Sequence, residues 1–341
     1  MPNHQGKQSI RFPRSPGLLS WASVAGKKEG EGPLAAYFDI VSRDTRFGQD
    51  TWEKAECQMQ KEALQRALSK AFLTPSQLQL LCAGDLLNQC ISSNYAVRGT
   101  GIPFLGLYGA CSTMSESLLT AAMAVDGGYA ACAAAMTSSH FATAERQYRL
   151  PLEYGGQRTP TAQWTVTGAG CVILSETDCP LQVRSATIGQ VIDKGITDAN
   201  NMGSAMAPAA YETLRQHFDD LHRAPEDYDL IATGDLGYIG SDILRDLFRQ
   251  DGVPLEGRYQ DCGAMIFDRE RQDVHGGGSG CGCAASVLCG LLLGQLSRGE
   301  LNRILICATG ALMSPLATQQ GESIPAVCHA VEIARCDAPM L

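Results

Sequence analysis

The chain has 341 residues, of which 45% are hydrophobic and 18% charged, with 36 glycines and 14 cysteines. It is long enough to bury roughly three quarters of its unfolded surface, and it is too apolar for a disordered chain. The net charge of −9 argues against a dedicated nucleic-acid binder. The balance is uneven: +2 over residues 1–170 and −11 over residues 171–341.

The first residues lack the apolar core of a signal peptide, and no CxxC pair occurs anywhere. The expectation is a reducing compartment with every thiol free. Lys7, Arg11, Arg14, Lys27 and Lys28 give the first 28 residues a basic bias, read as a solvated surface. Residues 8–12 predict an opening strand and residues 51–71 an amphipathic helix. The apolar run from Leu78 ends in Gly84-Asp85-Leu86, the pattern of a buried strand feeding a turn. Gly109-Ala110-Cys111-Ser112-Thr113 opens a helix of small residues to about residue 125, closed by Gly127-Gly128. Strands follow at 129–136 and 170–174.

The same order then recurs. Residues 181–188 predict a strand and 209–221 a helix. The apolar run from Tyr228 ends in Gly234-Asp235-Leu236. A second helix of small residues runs from Gly280 to about 296, and strands lie at 303–308 and 326–334. Two halves, 1–180 and 181–341, therefore share one pattern. Strands apolar throughout are buried on both faces, and helices apolar nearly all round belong in the centre. The predicted fold is α/β, with two fused halves enclosing their central helices between sheets. No transmembrane span is predicted: residues 117–136 are interrupted by Asp126-Gly127-Gly128, and the apolar run 283–296 is too short.

This order resembles the thiolase superfamily, which includes the ketoacyl synthases. Its fold is a duplicated five-layer αβαβα arrangement, with a nucleophilic cysteine at the start of the first buried helix, where Cys111 falls. Longer stretches are similar to the stage V sporulation protein AD family: Ala83-Gly-Asp-Leu-Leu-Asn-Gln, Gly109-Ala-Cys-Ser-Thr, Thr137-Ser-Ser-His-Phe, and segments at 153–157, 198–209, 277–281 and 308–315. The resemblance implies a sporulation protein that binds dipicolinic acid (pyridine-2,6-dicarboxylate) and takes part in its uptake into the developing spore. Calcium would accompany the ligand as its chelate; no cofactor or resident metal is implied. It further implies a peripheral place on the cytoplasmic side of the forespore inner membrane, beside other stage V sporulation membrane proteins. It allows a homodimer through a first-half edge strand near 129–136. The alternative is an active acyltransferase of the thiolase or ketoacyl-synthase type, using Cys111.

Either use begins at Cys111, where a helix N-terminus is expected to lower the thiol pKa. Acyl transfer also needs a base and oxyanion donors. Active relatives carry one such group on the loop before the second buried helix. Here that loop is His275-Gly-Gly-Gly-Ser-Gly-Cys, without the expected histidine or asparagine at its centre, and His275 is a weak substitute. The other group usually lies on the final hairpin, which makes His329 the candidate base. The set looks incomplete for condensation and favours binding. Asp85 is read either as a pocket residue that could contact calcium or as a turn cap, and its repeat at Asp235 supports the cap. His140 is a structural histidine by default and a candidate ligand contact beside it. Arg146 suits a ligand carboxylate, with Arg98 and Lys194 as alternatives. The glycines of 276–282 are read as sites of close backbone approach, not as a dinucleotide loop.

Overall fold

The computed structural model describes residues 3–148, 158–255 and 257–337; the 153–157 motif lies outside them. The first half comprises β1 (Gly17–Ala25), α1 (Trp52–Ala71), β2 (Leu80–Gly84), β3 (Phe104–Gly106), α2 (Thr113–Asp126), β4 (Cys132–Ser139), α3 (Phe141–Tyr148) and β5 (Gly168–Ser175). The second comprises β6 (Leu181–Thr187), α4 (Met202–Leu221), β7 (Leu230–Thr233), α5 (Gly237–Gln250), β8 (Tyr259–Asp261), α6 (Cys281–Arg298), β9 (Arg303–Ala311) and β10 (Ala326–Arg335). One turn of α6, Leu288–Leu292, is π-helical.

The strand order is β8-β7-β9-β10-β6-β1-β5-β4-β2-β3. It reads the same from either end, strand for equivalent strand. In each half the first three strands from the edge are parallel, and the next two are antiparallel. The halves meet where Gln182 of β6 pairs with Gly17 of β1. Helix α1 covers β1 and β5 from outside, and α4 covers β10 and β9. Between the two sheets lie α2 and α6, each touching strands of both halves. This gives five layers.

Local chemistry explains the elements. Thr51 caps α1 by accepting from Lys54 N–H at 3.3 Å. Its Ala55, Met59, Ala63, Ala67 and Leu68 recur on one buried face. The central α2 buries Met114, Leu118, Ala121, Ala122 and Val125 instead, as a helix covered on both sides must. Helix α6 is, among the described residues, the one helix long and apolar enough to cross a membrane, but 72% of that stretch is buried inside the protein. All 14 cysteines are free.

Three expectations need correction. The opening strand of the first half is β1, not 8–12; Ser9–Arg11 is a short strand that crosses over and pairs with β6 of the other half. Strand β4 is no edge: it is hydrogen-bonded to β2 on one side and β5 on the other, and the first-half edge is β3. Helix α4 starts seven residues before the predicted 209, at the Asn201 cap, and accommodates Pro208 in its second turn.

A buried charge cluster ties the second half together. Glu332 of β10 accepts the Ser185 hydroxyl at 2.6 Å, pairs with Arg303 of β9, and lies 3.9 Å from Arg223. Burial works against its charge, but the Ser185 bond and the arginines hold its carboxyl below the usual range. Both guanidinium side chains are only 7% exposed. Glu332→Ala would strand two buried cations. We expect a loss of about 3–5 kcal/mol of unfolding free energy, read from the urea midpoint; a loss below about 1 kcal/mol would show that the cluster is dispensable.

Candidate functional site

The chain approaches α2 through a tight turn at Ala110–Ser112. Ala110 takes the left-handed conformation, with φ of +52°, a strain of about 1–2 kcal/mol for a residue with a Cβ. The turn brings Cys111 to the floor of a cavity lined by Leu86, Ala144, Glu145, Tyr148, Thr165, Met202, Ser279, Ala311 and Met313. The cavity measures about 40 Å³, room for roughly three waters. Leu86, Cys111, Ala144 and Cys281 pack together as its apolar base, with Tyr148 against them. The Tyr148 hydroxyl donates to Leu86 O at 2.6 Å, fastening α3 to the turn after β2.

The residue that governs the thiol is Asp235, at the end of β7. Its Oδ2 accepts from Gly280 N–H at 2.9 Å and from the Ser279 hydroxyl at 3.1 Å; its Oδ1 accepts from Thr309 Oγ1 at 2.9 Å. The Cys111 thiol lies beside the same carboxylate, close enough to feel its charge, and Cys111 Sγ lies 3.9 Å from Ser279 Oγ. Asp235 is fully buried. Burial raises its pKa, and its hydrogen-bond donors work the other way.

Two acids in contact inside a protein do not both ionise readily. The carboxyl is the stronger acid and has three hydrogen-bond donors, so any negative charge the pair carries resides there. Burial first, then the Asp235 charge, push the Cys111 thiol well above its usual value. The expected lowering by a helix N-terminus is therefore reversed. Cys111 sits in a turn ahead of α2, and a carboxylate is its nearest charged partner.

The other predicted site residues have partners of their own. Asp85 accepts from Leu87 N–H, Ser93 N–H and the Ser93 hydroxyl at 2.7–2.9 Å, so it caps a turn and a helix start. It lies beside Glu56, and burial raises the pKa of both carboxyls. His140 bridges Thr45 O and Ala142 N–H and pins α3 to the loop before α1. Arg146 turns outward to Glu53 at 3.0 Å, while Glu145 beside it faces the cavity. Arg98 stacks over Tyr95, and Lys194 is exposed. His275 contacts Thr159 O and Asp273 at 2.8 Å each, away from the cavity.

His329 is buried on β10, its Nδ1 accepting from Gly189 N–H at 3.1 Å. Burial lowers its pKa to about 4, so the ring is neutral. It is not among the residues lining the cavity. Sequence reasoning missed Asp235, Ser279, Glu145, Tyr148, Met202 and Met313. The available signal was the repeat itself: with the thiol on one half only, the second Gly-Asp-Leu turn faces it from the other.

The layers and the cysteine at the start of a central helix define a thiolase-like protein of the ketoacyl-synthase type. Solved structures agree on the fold. 3-Oxoacyl-[acyl-carrier-protein] synthase III from Aquifex aeolicus is 12% identical with a TM-score of 0.55, over 94% of this chain and 99% of that one. Cerulenin-bound OleA from Xanthomonas campestris is 15% identical with a TM-score of 0.57, over 94% and 97%. The tetronic acid condensing enzyme AbyA1 is 16% identical with a TM-score of 0.57, over 94% and 100%. The model of the family "Stage V sporulation protein AD (SpoVAD)" matches residues 6–334. Stage V sporulation protein AD of Bacillus subtilis (strain 168) is 49% identical over 330 residues, 97% of each chain. The chain belongs to the stage V sporulation protein AD family and is a sporulation protein.

One glycine sets the spacing of the floor. A Cβ on Gly310 of β9 would stand 2.4 Å from Gly109 O and 3.0 Å from Ser112 N, so β9 could no longer meet the Cys111 turn. Gly310→Ala is expected to destabilise the fold by about 1–3 kcal/mol. Thermal unfolding checks this; an unchanged melting temperature would refute the close packing.

Proposed function

We propose that this chain binds dipicolinate in the cavity over Cys111 and serves its uptake into the developing spore. The observation that carries this reading is the thiol's partner. An acyl-transfer nucleophile needs a base, whereas Cys111 faces a carboxylate that keeps it protonated, and no histidine lines the cavity among the described residues. The walls suit a flat ring with polar ends: methionine and tyrosine side chains flank it, and the hydroxyls of Ser279 and Thr165 border it. At its present volume the cavity admits such a ring only as Met202 and Met313 turn aside, which unbranched thioether side chains do readily.

Calcium would travel on the ligand, as its chelate. Family membership supports a station at the cytoplasmic face of the forespore inner membrane, beside other stage V sporulation membrane proteins. A homodimer would form along β3, where Leu105 and Tyr108 are half exposed.

Calorimetric titration is the test. Saturable heat with dipicolinate and none with benzoate is expected, and Cys111→Ser should bind within about threefold of the parent, since a neutral hydroxyl replaces a neutral thiol. Mass spectrometry after incubation with acyl-thioesters should show no adduct on Cys111. Absence of dipicolinate binding, or stoichiometric acylation of Cys111, would overturn the reading.

A further inference from the structure

Asp235 has a second consequence for an anionic guest, one that rests on the binding reading above. The Ser279 hydroxyl borders the cavity and donates its hydrogen inward, to Asp235 Oδ2 at 3.1 Å. What it offers the cavity is lone pairs. The Cys111 thiol is in contact with the same hydroxyl, its Sγ 3.9 Å from Ser279 Oγ. On its Ser279 side the site in this state shows an arriving carboxylate an acceptor in place of a donor, with the buried Asp235 carboxyl just behind it, and the Thr165 hydroxyl is the donor left on the wall. Glu145 on the opposite wall adds a further carboxyl.

We propose that Asp235 determines which charge state the cavity accepts: an anionic ligand enters together with one proton, which Asp235 takes up from solvent. The carboxylic acid then donates to Ser279 Oγ. The Ser279 hydroxyl rotates and donates its own hydrogen to the ligand carboxylate. One proton enters and no covalent bond between heavy atoms changes. The hydrogen bond between Asp235 and Ser279 reverses direction, and an anion-repelling wall becomes an anion-binding one. Gly280 N–H and Thr309 Oγ1 keep the side chain in place throughout.

The titratable groups around Asp235 fit this assignment. From the turn before α2 comes Cys111, and from α6 come Cys281 and Cys283, all three thiols held protonated by burial. From the end of β8 and the residue after it come Asp261 and Cys262. Asp261 is itself pushed up to about 7 by burial and accepts from Leu236 N–H and Gly237 N–H, on the Asp235 turn. A second negative charge nearby makes Asp235 more ready to take a proton when a third arrives.

The measurement is calorimetric titration of the full chain with dipicolinate, in calcium-free buffers of different ionisation enthalpy at one pH. The slope of observed heat against buffer ionisation enthalpy counts protons. Uptake of about one proton per ligand is expected, with affinity falling up to tenfold per pH unit once Asp235 is ionised in the free protein. In Asp235→Asn the uptake and the pH dependence should vanish. In Ser279→Ala binding should weaken at least about tenfold, by loss of the donor. Wild-type binding without proton uptake would overturn this proposal and leave the binding reading standing. Loss of the uptake in Glu145→Gln, with Asp235→Asn retaining it, would place the proton elsewhere and also overturn it. Absence of binding altogether would remove the reading on which it rests. The wild-type buffer series decides the matter even where Asp235→Asn fails to fold.

Discussion

The structure depends on one packing constraint: two largely buried helices have to fit between two sheets. The strands on either side approach their backbones closely. A Cβ on Gly282 of α6 would meet Gly168 O of β5 at 2.4 Å, and Gly310 of β9 comes equally near the Cys111 turn. Dispersion across such short gaps is lost steeply with distance, so the small residues of α2 and α6 determine the thickness of the central layer. The same spacing brings Asp235, after β7, and Cys111 to the same Ser279 hydroxyl. Site and core are consequences of one fit.

The character of the site is electrostatic. The fold delivers a cysteine to the start of a central helix, as the ketoacyl-synthase architecture does. The neighbouring residue reverses its chemistry. A carboxylate with three donors is a good resting place for one negative charge and a poor neighbour for a second. The thiol therefore stays neutral.

Much of the fold was legible in the sequence, for reasons that can be named. Helix α1 announces itself through its Thr51 cap and its periodic buried face. The Gly-Asp-Leu turns mark β2 and β7, and the glycines after α2 and α6 mark where those helices end. Strand β1 was missed because serines interrupt its apolar run. Ser20 is nonetheless buried, donating to Ala67 O at 2.8 Å, and Ser23 exchanges bonds with Asp39. The start of α4 was hidden by Pro208, whose cost is offset by the packing of Met206, Ala209 and Ala210 into the second-half core. In the site, Cys111 was legible from its turn. Asp235 was not, because its partners Ser279, Gly280 and Thr309 lie 44 to 74 residues away in sequence and only the tertiary fold shows them.

The crossover of Ser9–Arg11 onto β6 bears on how the chain is made. Ser9 pairs with Thr187, its hydroxyl shares a hydrogen with the Thr187 hydroxyl at 2.7 Å, and that hydroxyl in turn contacts His217. The N-terminal segment therefore has no finished place until the second half has been synthesised. On a ribosome adding about 5–20 residues per second, the first half waits for seconds with this stitch open. Closing it joins residues 178 positions apart, a slow kind of contact. Vectorial synthesis and duplicated architecture thus pull apart: each half repeats the other in design, yet the first cannot be completed before the second.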